Sequence, residues 1–318
     1  MKNKVTVFFA SDEHYLPYLT VAISSLANHS SAEYEYKIII LTTSLDDMEL
    51  GQLKASLPNN ISLSVCNLTE KIADVQNSLS VRLRDYYSES IYYRMFIPST
   101  FGELERAVYL DSDIVLCDDI AKLYNMDIAS SLVAAVPDET VGAEPVFIEY
   151  VKDYIGIPKE RYFNSGVLLM NLTAMREARI EERFLDFLTK YNYDTVAPDQ
   201  DYLNYLCRGR VHYLEAGWNK HPIFCQQFNG ELHIMHYNMF FKPWHYFEVP
   251  GEELFWEAAR DTHYLERLIA ERHSYTDIQR QNDLLGAKAL LEKAQSIMER
   301  GKATDMRFGC EKIPMEVI

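Results

Sequence analysis

The sequence predicts an α/β fold in which helices cover a mainly parallel sheet, with a helical segment after it. Two observations support this prediction. Apolar runs alternate with helical patterns through the first two thirds of the 318 residues, and such alternation is typical of parallel strands joined by crossover helices. After about Trp256, the apolar residues recur only at helical spacing.

Each predicted strand is a short apolar run bounded by polar residues. Ser44, followed by Asp47 three residues later, predicts a helix start after the second strand. Ligands bind at the carboxyl ends of parallel strands, so the residues that follow each run are candidates for a site. The runs are Val5–Ala10, Tyr36–Leu41, Ile61–Cys66, Ala107–Leu110, Leu132–Val136, Val167–Met170 and Leu232–His236.

Residues 1–256 are predicted to form the main domain and residues 257–318 a helical C-terminal appendage. Between Leu265 and Leu291, apolar residues recur at the spacing of two or three amphipathic helices. The segment Arg260–Ile318 holds ten basic and ten acidic residues. A tail that docks on anionic lipid would be basic, so this neutral segment favours a small appendage on the main domain.

The formal net charge of −16 argues against a general nucleic-acid-binding protein, because such proteins carry a basic surface. Hydrophobic residues make up 48% of the chain, which is enough for a sizeable core. The sequence has no Gly-x-Gly-x-x-Gly motif, so a nicotinamide-dependent enzyme is not expected. An acidic protein that handles a diphosphate needs a metal or a few placed cations to neutralise it.

The cysteine pattern and the hydropathy of the chain indicate the cellular compartment in which the protein is expected. The five cysteines include no Cys-x-x-Cys pair, which argues against a disulfide framework and a structural zinc site. The N-terminal apolar run is too short for a signal-peptide core, and no stretch approaches the roughly 18 uncharged residues of a membrane span. We therefore expect a cytoplasmic protein with at most peripheral contact with the inner face of the membrane.

Two carboxylates follow the predicted strand Ala107–Leu110. Asp111 and Asp113 are two residues apart, so both side chains project to the same side of an extended segment. Adjacent carboxylates repel each other unless a cation lies between them, and a hard divalent metal meets that requirement. A surface Asp-Ser-Asp turn is the alternative, because such short motifs also occur by chance.

The same motif also fits the nucleophile segment of haloacid-dehalogenase-like phosphohydrolases, in which the first Asp attacks phosphorus and the second acts as acid and base. In that family the motif usually lies near the start of the chain, and a later Gly-Asp-x-x-x-Asp segment holds the metal. This sequence has no Gly-Asp dipeptide. A phosphohydrolase is therefore the second hypothesis.

His236 and Lys242 form a third candidate feature, at the end of the predicted strand Leu232–His236. An imidazole added to two carboxylates shifts the metal preference toward manganese. Lys242 offers a compact charge for a phosphate. A lone His near a strand end is more often structural, but its position six residues before Lys242 favours a ligand role.

Together these segments resemble glycosyltransferase family 8, which includes bacterial lipopolysaccharide galactosyl- and glucosyltransferases and glycogenin. The resemblance covers roughly Val5 to Trp244, with the motifs in the family's order. The segments that carry it are Phe9–Tyr15, Tyr92–Arg94, Asp111–Asp113, Tyr162–Asn171, Pro198–Asn204 and His236–Trp244.

The resemblance implies a GT-A, Rossmann-like domain that binds a nucleotide sugar, with Mn²⁺ or Mg²⁺ on the diphosphate of UDP-galactose or UDP-glucose. The implied metal ligands are Asp111, Asp113 and His236. The implied nucleotide contacts are Ala10, Asp12, Ser112 and, on the diphosphate, Lys242. The residues expected to surround the donor sugar are Arg94, Asp138, Asn164, Asp199 and Gln200.

The implied reaction transfers a hexose to a hydroxyl of a glycan or glycolipid acceptor, with retention of the anomeric configuration. A dication and Lys242 suit the diphosphate leaving group, and Asp199 and Gln200 suit the cationic face of the sugar. Structural roles are the alternative for two residues: Asn164 as a turn cap, and Asp199 as the cap of a helix over Asp201–Cys207.

Two residues depart from the family pattern. Met239 replaces a usual Gly, and we expect a Met not to adopt positive φ easily there. Tyr86 replaces a His that often precedes the family arginine. A non-catalytic UDP-sugar-binding protein, with activity lost through Met239, is therefore the third hypothesis.

Overall fold

The computed structural model describes residues 3–78, 89–191 and 194–304. It confirms the predicted α/β class, and each predicted strand overlaps an observed one. The strands within these ranges are β1 (Asn3–Ala10), β2 (Tyr34–Thr42), β3 (Ile61–Asn67), β4 (Arg106–Leu110), β5 (Ile114–Leu116), β6 (Val133–Ala135), β7 (Val167–Asn171), β8 (Val211–Tyr213) and β9 (Ile234–His236).

Seven of the described strands form one sheet in the order β3-β2-β1-β4-β7-β6-β8. Strand β1 is parallel to β2 and β4, β2 to β3, and β6 to β8, whereas β7 runs antiparallel to β4 and β6. The sheet is therefore mainly parallel, as predicted. The chain moves outward from β1 to β3 and returns on the other side of β1, which creates a crevice at the carboxyl ends of β1 and β4.

Strands β5 and β9 form a separate antiparallel pair, in which Ile114 lies opposite His236. The three residues from Asp111 to Asp113 connect β4 in the main sheet with β5 in this pair. This pairing brings a histidine from late in the chain beside the two carboxylates.

The helices of the described ranges connect the strands and continue beyond them. They are α1 (Leu16–Asn28), α2 (Asp47–Ser56), α3 (Thr69–Ser78), α4 (Ile97–Thr100), α5 (Ala121–Tyr124), α6 (Glu139–Ala143), α7 (Pro145–Glu149), α8 (Leu172–Glu177), α9 (Ile180–Asp186), α10 (Pro198–Cys207), α11 (Glu252–Ala259), α12 (Leu265–Ser274) and α13 (Asp277–Thr304). Shorter 3₁₀ and π turns lie at Glu89–Phe96, Tyr150–Ile155, Lys159–Arg161, Phe187–Tyr191, Ala216–Asn219 and Pro222–Phe224.

Alternate residues of the central strands contribute to two hydrophobic cores, one on each face of the sheet. In β1, Phe9 packs into the first core and Phe8 into the second. The C-terminal helices add to both, with Leu268 of α12 in the first and Ile297 of α13 in the second. The division into a main domain and an appendage after residue 256 stays a prediction.

One predicted helix start is wrong. Helix α2 begins at Asp47, and its cap is Asp46, whose carboxylate accepts the backbone N–H groups of Met48 and Glu49. The Ser44 hydroxyl instead donates to Glu13. The departure noted at Tyr86 and the fifth cysteine, Cys310, lie outside the described residues.

None of the helices within residues 3–78, 89–191 and 194–304 combines the length with the apolar character that crossing a lipid bilayer requires.

Candidate active site

A cavity of about 360 Å³ lies in the crevice at the carboxyl ends of β1, β4 and β6. It brings together side chains from segments that are far apart in the sequence. The predicted site residues that line it are Ala10, Arg94, Asp111, Ser112, Asp113, Asp138, Asn164, Asp199, Gln200 and Lys242. Of the remaining two, His236 lies directly behind the carboxylates, and Asp12 lies outside the lining.

Asp111, Asp113 and His236 converge on one point. The Nε2 atom of His236 lies 3.2 Å from Asp113 Oδ1 and 3.9 Å from Asp111 Oδ2. Their ligand atoms all lie within 4.8 Å of one another. Two carboxylate oxygens and an imidazole nitrogen at this spacing suit a borderline divalent cation such as Mn²⁺, so the residues present fit the implied metal.

The two carboxylates reach this point differently from the prediction. Strand β4 ends at Leu110, so Asp111 and Asp113 lie in a bend between two strands and not on one extended segment. The backbone N–H of Asp111 donates to the Gly166 carbonyl, and that of Tyr237 donates to the Asp113 carbonyl. These two bonds hold the bend against the segments on either side of it.

Lys242 is buried beside Asp113. Its Nζ lies 2.5 Å from Asp113 Oδ2 and donates to the Tyr237 carbonyl at 2.6 Å. Burial alone would raise the pKa of Asp113, but the neighbouring Lys242 ammonium, with a further contribution from the His236 ring, outweighs burial and holds that pKa well below its usual range. Burial would likewise lower the pKa of Lys242, but Asp113 raises it. Both groups are therefore charged.

Arg94 connects the Asp111 side of the cavity with the Asp199 side. Its Nη2 donates to Asp111 Oδ1 at 2.9 Å, and its Nε lies 3.3 Å from Asp199 Oδ2. The guanidinium lies over the Tyr109 ring at 4.4 Å. Tyr109 also donates its hydroxyl to Asp111 Oδ1 at 2.9 Å. Asp111 is thereby oriented with its second oxygen toward His236.

Asp199 does not cap helix α10. The helix begins at Pro198, and its N-cap residue, Ala197, has no side-chain cap. Instead, Asp199 is buried, pairs with Arg94, and accepts the Ser165 hydroxyl at 2.9 Å. Burial raises the pKa of Asp199, although Arg94 opposes the shift. The capping alternative for this residue is therefore wrong.

Asp138, Asn164 and Gln200 form one buried group. Asp138 Oδ2 accepts Asn164 Nδ2 and Gln200 Nε2, each at 3.0 Å. Its Oδ1 caps α6 by accepting the Val141 N–H. Gln200 Oε1 accepts the backbone N–H of Ser165 at 3.0 Å. Hydrogen bonds therefore fix the polar groups of these side chains in place. Polar groups held in this way can stabilise a charge in the cavity without first reorganising.

The nucleotide-side residues are only partly brought together. The Ser112 hydroxyl donates to the Ala10 carbonyl at 2.8 Å, which joins the ends of β1 and β4. Asp12 accepts the backbone N–H of Tyr15 at 3.0 Å, just before α1. Its contact with the uracil or ribose of the nucleotide stays a prediction.

Gly166 lies against His236 and Asp111, and the sequence motifs assigned it no role. A Cβ atom on Gly166 would lie 2.4 Å from His236 Cε1 and 2.5 Å from Asp111 Oδ2. Real Cβ atoms essentially never make contacts this short, so a larger residue at this position would force His236 and Asp111 to shift. Its place in the Asn-Ser-Gly segment was the one signal that could have revealed it.

Met239 adopts the left-handed conformation, with φ of +64°. The expectation that a Met would not take positive φ is therefore wrong. The ends of its loop are fixed by the Tyr237 N–H to Asp113 bond and by Lys242, so the loop imposes this conformation on Met239. The cost is about 1–2 kcal/mol for a residue with a Cβ.

Asn219 was also missed by the sequence motifs. It is 1% exposed, and its side chain lies between His236 and Asn164. It follows β8 in a 3₁₀ turn, Ala216–Asn219. No spacing in the sequence indicates that this residue reaches the site.

Comparison with known proteins identifies relatives of this chain. The chain is 30% identical over 222 residues to a protein of Haemophilus influenzae that carries a provisional glycosyltransferase name, covering 69% of this chain and 64% of that protein. It is 28% identical over 173 residues to the lipopolysaccharide 1,2-glucosyltransferase of Escherichia coli, covering 50% of each. The chain thus spans less than two thirds of the length of these two relatives.

The fold is that of known GT-A enzymes. The crystal structure of the galactosyltransferase LgtC, in complex with donor and acceptor sugar analogs, superposes with a TM-score of 0.67 at 23% identity, covering 84% of this chain and 100% of that one. The profile of glycosyl transferase family 8 matches residues 6–248. With this match over most of its length, the chain belongs to glycosyl transferase family 8.

Proposed function

We propose that this protein is a retaining glycosyltransferase that moves galactose or glucose from a UDP-sugar to an acceptor hydroxyl, with Mn²⁺ or Mg²⁺ on the diphosphate. One observation carries the proposal: the convergence of Asp111, Asp113 and His236 at one end of a cavity whose other end is lined by fixed amides and carboxylates. A metal held there neutralises charge on the departing diphosphate.

Lys242 is the protein's own cation for the leaving group. It is buried, charged and paired with Asp113. A diphosphate oxygen near Asp113 comes within reach of the same ammonium, which has three donors. The developing negative charge is then stabilised by a group that needs no reorganisation.

At the other end of the cavity, Gln200 is proposed to lie near the anomeric carbon. Its carboxamide is held by Ser165 and Asp138, so its oxygen presents a fixed partial negative charge to an oxocarbenium-like sugar. Asp138 and Asp199 are each held by several donors. This arrangement supports charge stabilisation without a covalent glycosyl intermediate. A stable glycosyl adduct on Gln200 would contradict it.

The acceptor is proposed to be a glycan or glycolipid, and the protein to act in the cytoplasm with at most peripheral membrane contact. The relative in Escherichia coli is named for lipopolysaccharide as its acceptor, which supports a surface glycolipid in this role.

The test is UDP release from a panel of UDP-sugars, without acceptor, in Mn²⁺ and in chelator. We expect slow, metal-dependent hydrolysis of UDP-galactose or UDP-glucose, and an α-anomer as the first-formed sugar. Release that is equally fast in chelator would contradict the metal's role. A β-anomer would contradict retention.

The two alternative functions make different predictions. A phosphohydrolase would release inorganic phosphate from an aryl phosphate in Mg²⁺, and membership of family 8 does not favour it. A non-catalytic binding protein would bind UDP in Mn²⁺ without turnover. Met239 already adopts the conformation that glycine would supply, which removes the main reason for that hypothesis.

A further inference from the structure

Asn219 joins the two ends of the site. Its Oδ1 lies 2.8 Å from His236 Nδ1, and its Nδ2 lies 2.9 Å from Asn164 Oδ1. Both neighbours are buried as well. Asn164 continues the chain of hydrogen bonds to Asp138, and Asp138 continues it to Gln200.

The direction of these hydrogen bonds follows from one backbone donor. The N–H of Gly166 can only donate, and it reaches Asn164 Oδ1 at 2.9 Å, which identifies that atom as the amide oxygen. The Asn219 atom that faces this oxygen must therefore be the NH₂ group. The other end of the Asn219 amide, its oxygen, then faces His236.

The tautomer of His236 follows in turn. An amide oxygen only accepts, so His236 Nδ1 must carry a hydrogen. In the neutral imidazole Nε2 then keeps its lone pair. That lone pair points at Asp113 Oδ1, 3.2 Å away, and Asp111 Oδ2, 3.9 Å away. Three electron-pair donors that face one another form a favourable group when a cation lies between them.

We propose that Asn219 is a positioning residue that fixes His236 as the Nδ1–H tautomer and connects the metal ligands to the donor-sugar side through Asn164. The inference rests on the proposed function, because the metal belongs to that function. Hydrogen bonds of this kind to a ligating histidine set its orientation and its basicity toward the metal.

Two substitutions separate the two connections of Asn219. Asn219→Ala removes both. Asn219→Asp keeps an acceptor for the His236 N–H but places a second oxygen against Asn164 Oδ1, which loses the Asn219 donor and keeps only the Gly166 N–H. The matched control is Asn171→Ala: Asn171 caps α8 and lies at the opposite end of β7 from the site.

The experiment is titration of each purified variant with Mn²⁺ alone, by calorimetry, followed by donor kinetics. We expect Asn219→Ala to bind Mn²⁺ about 10- to 100-fold more weakly, and Asn171→Ala to match the wild type. Asn219→Asp is expected to bind Mn²⁺ at least as tightly as the wild type, with a raised KM for the UDP-sugar. Wild-type Mn²⁺ affinity in Asn219→Ala would overturn the inference, as would equal loss in both Asn219 variants.

A second measurement needs no variant. The ¹⁵N chemical shifts of His236 in the Mg²⁺-loaded wild type are expected to show that Nδ1 carries a hydrogen and Nε2 does not. An Nε2–H tautomer would overturn the inference even if Asn219→Ala fails to fold. Asp113→Asn distinguishes failure of the Asn219 inference from failure of the proposed metal site. If this variant keeps wild-type Mn²⁺ affinity, the metal site itself is refuted.

Discussion

Gly166→Ala tests whether the packing around the metal ligands is as tight as the structure indicates. The added Cβ would lie 2.4 Å from His236 Cε1 and 2.5 Å from Asp111 Oδ2, whereas ordinary contacts begin at 3.4 Å. Gly166 cannot simply retreat, because its carbonyl accepts the Asp111 N–H and its own N–H donates to Asn164. The two ligands must therefore move apart by about 1 Å.

This displacement can be converted into expected effects. Metal–ligand distances are held within about 0.2 Å, so a shift of this size should lower Mn²⁺ affinity at least tenfold, or about 1.4 kcal/mol. A misplacement of about 1 Å costs roughly 100-fold in turnover. Overpacking of this kind should also lower the free energy of unfolding by about 1–3 kcal/mol.

The assay is calorimetric Mn²⁺ titration, with urea unfolding and donor hydrolysis on the same samples. Gly51→Ala is the matched control, because a Cβ there meets no atom within 4 Å. It lies within α2 and should gain up to about 1 kcal/mol in stability while Mn²⁺ affinity stays unchanged. A folded Gly166→Ala protein with wild-type Mn²⁺ affinity would refute the reasoning.

Three further predictions concern charge and backbone conformation. Burial raises the pKa of Asp201 to about 6 from 3.8, although hydrogen bonds from Tyr162 and Tyr150 oppose the shift. The folded state therefore binds this proton more tightly, and its stabilising contribution is present below about pH 4 and lost as the pH rises through about 6. In urea unfolding, the wild type should lose about 2 kcal/mol relative to Asp201→Asn between pH 4 and pH 7; an unchanged difference would contradict the shift. Lys242→Met should lower kcat for donor hydrolysis in Mn²⁺ by about 10²- to 10³-fold, and a change below threefold would exclude a role on the leaving group. Met239→Val should lower the free energy of unfolding by about 1–2 kcal/mol because a β-branched residue fits positive φ poorly, whereas Met239→Asn should not; equal stability of the two variants would argue against the left-handed conformation.

The sequence was sufficient to predict six of the seven strands described in the main sheet, because these six are apolar runs with clear boundaries; β8 (Val211–Tyr213), which has no such run, was not predicted. Val5–Ala10 and Ala107–Leu110 lie entirely within the observed β1 and β4. Their carboxyl ends meet by topology alone, so Asp111, Asp113 and Asp138 could be predicted from their position after a strand. The roles of Arg94, Asn164, Asp199 and Gln200 were implied only by the family resemblance.

Contacts that depend on long-range pairing could not be predicted in the same way. Strands β5 and β9 are three residues long and separated by more than a hundred residues, so their register has no local signal. Asn219 contacts His236 as part of the same long-range packing, which places β9 beside the 3₁₀ turn Ala216–Asn219. At Met239, tertiary contacts override the local preference of a non-glycine residue for negative φ. At the start of α2, the Asp46 carboxylate provides the N-cap that the sequence assigned to Ser44.

The central claim is that Asp111, Asp113 and His236 hold a divalent cation that brings UDP into the cavity. The most direct test is the affinity of UDP in Mn²⁺ and in chelator, for the wild type and Asp113→Ala. We predict Mn²⁺-dependent binding in the wild type and its loss in Asp113→Ala, with the fold intact because Asp113 lies in a bend outside the sheet. Equal UDP affinity of the two proteins in Mn²⁺ would contradict the claim.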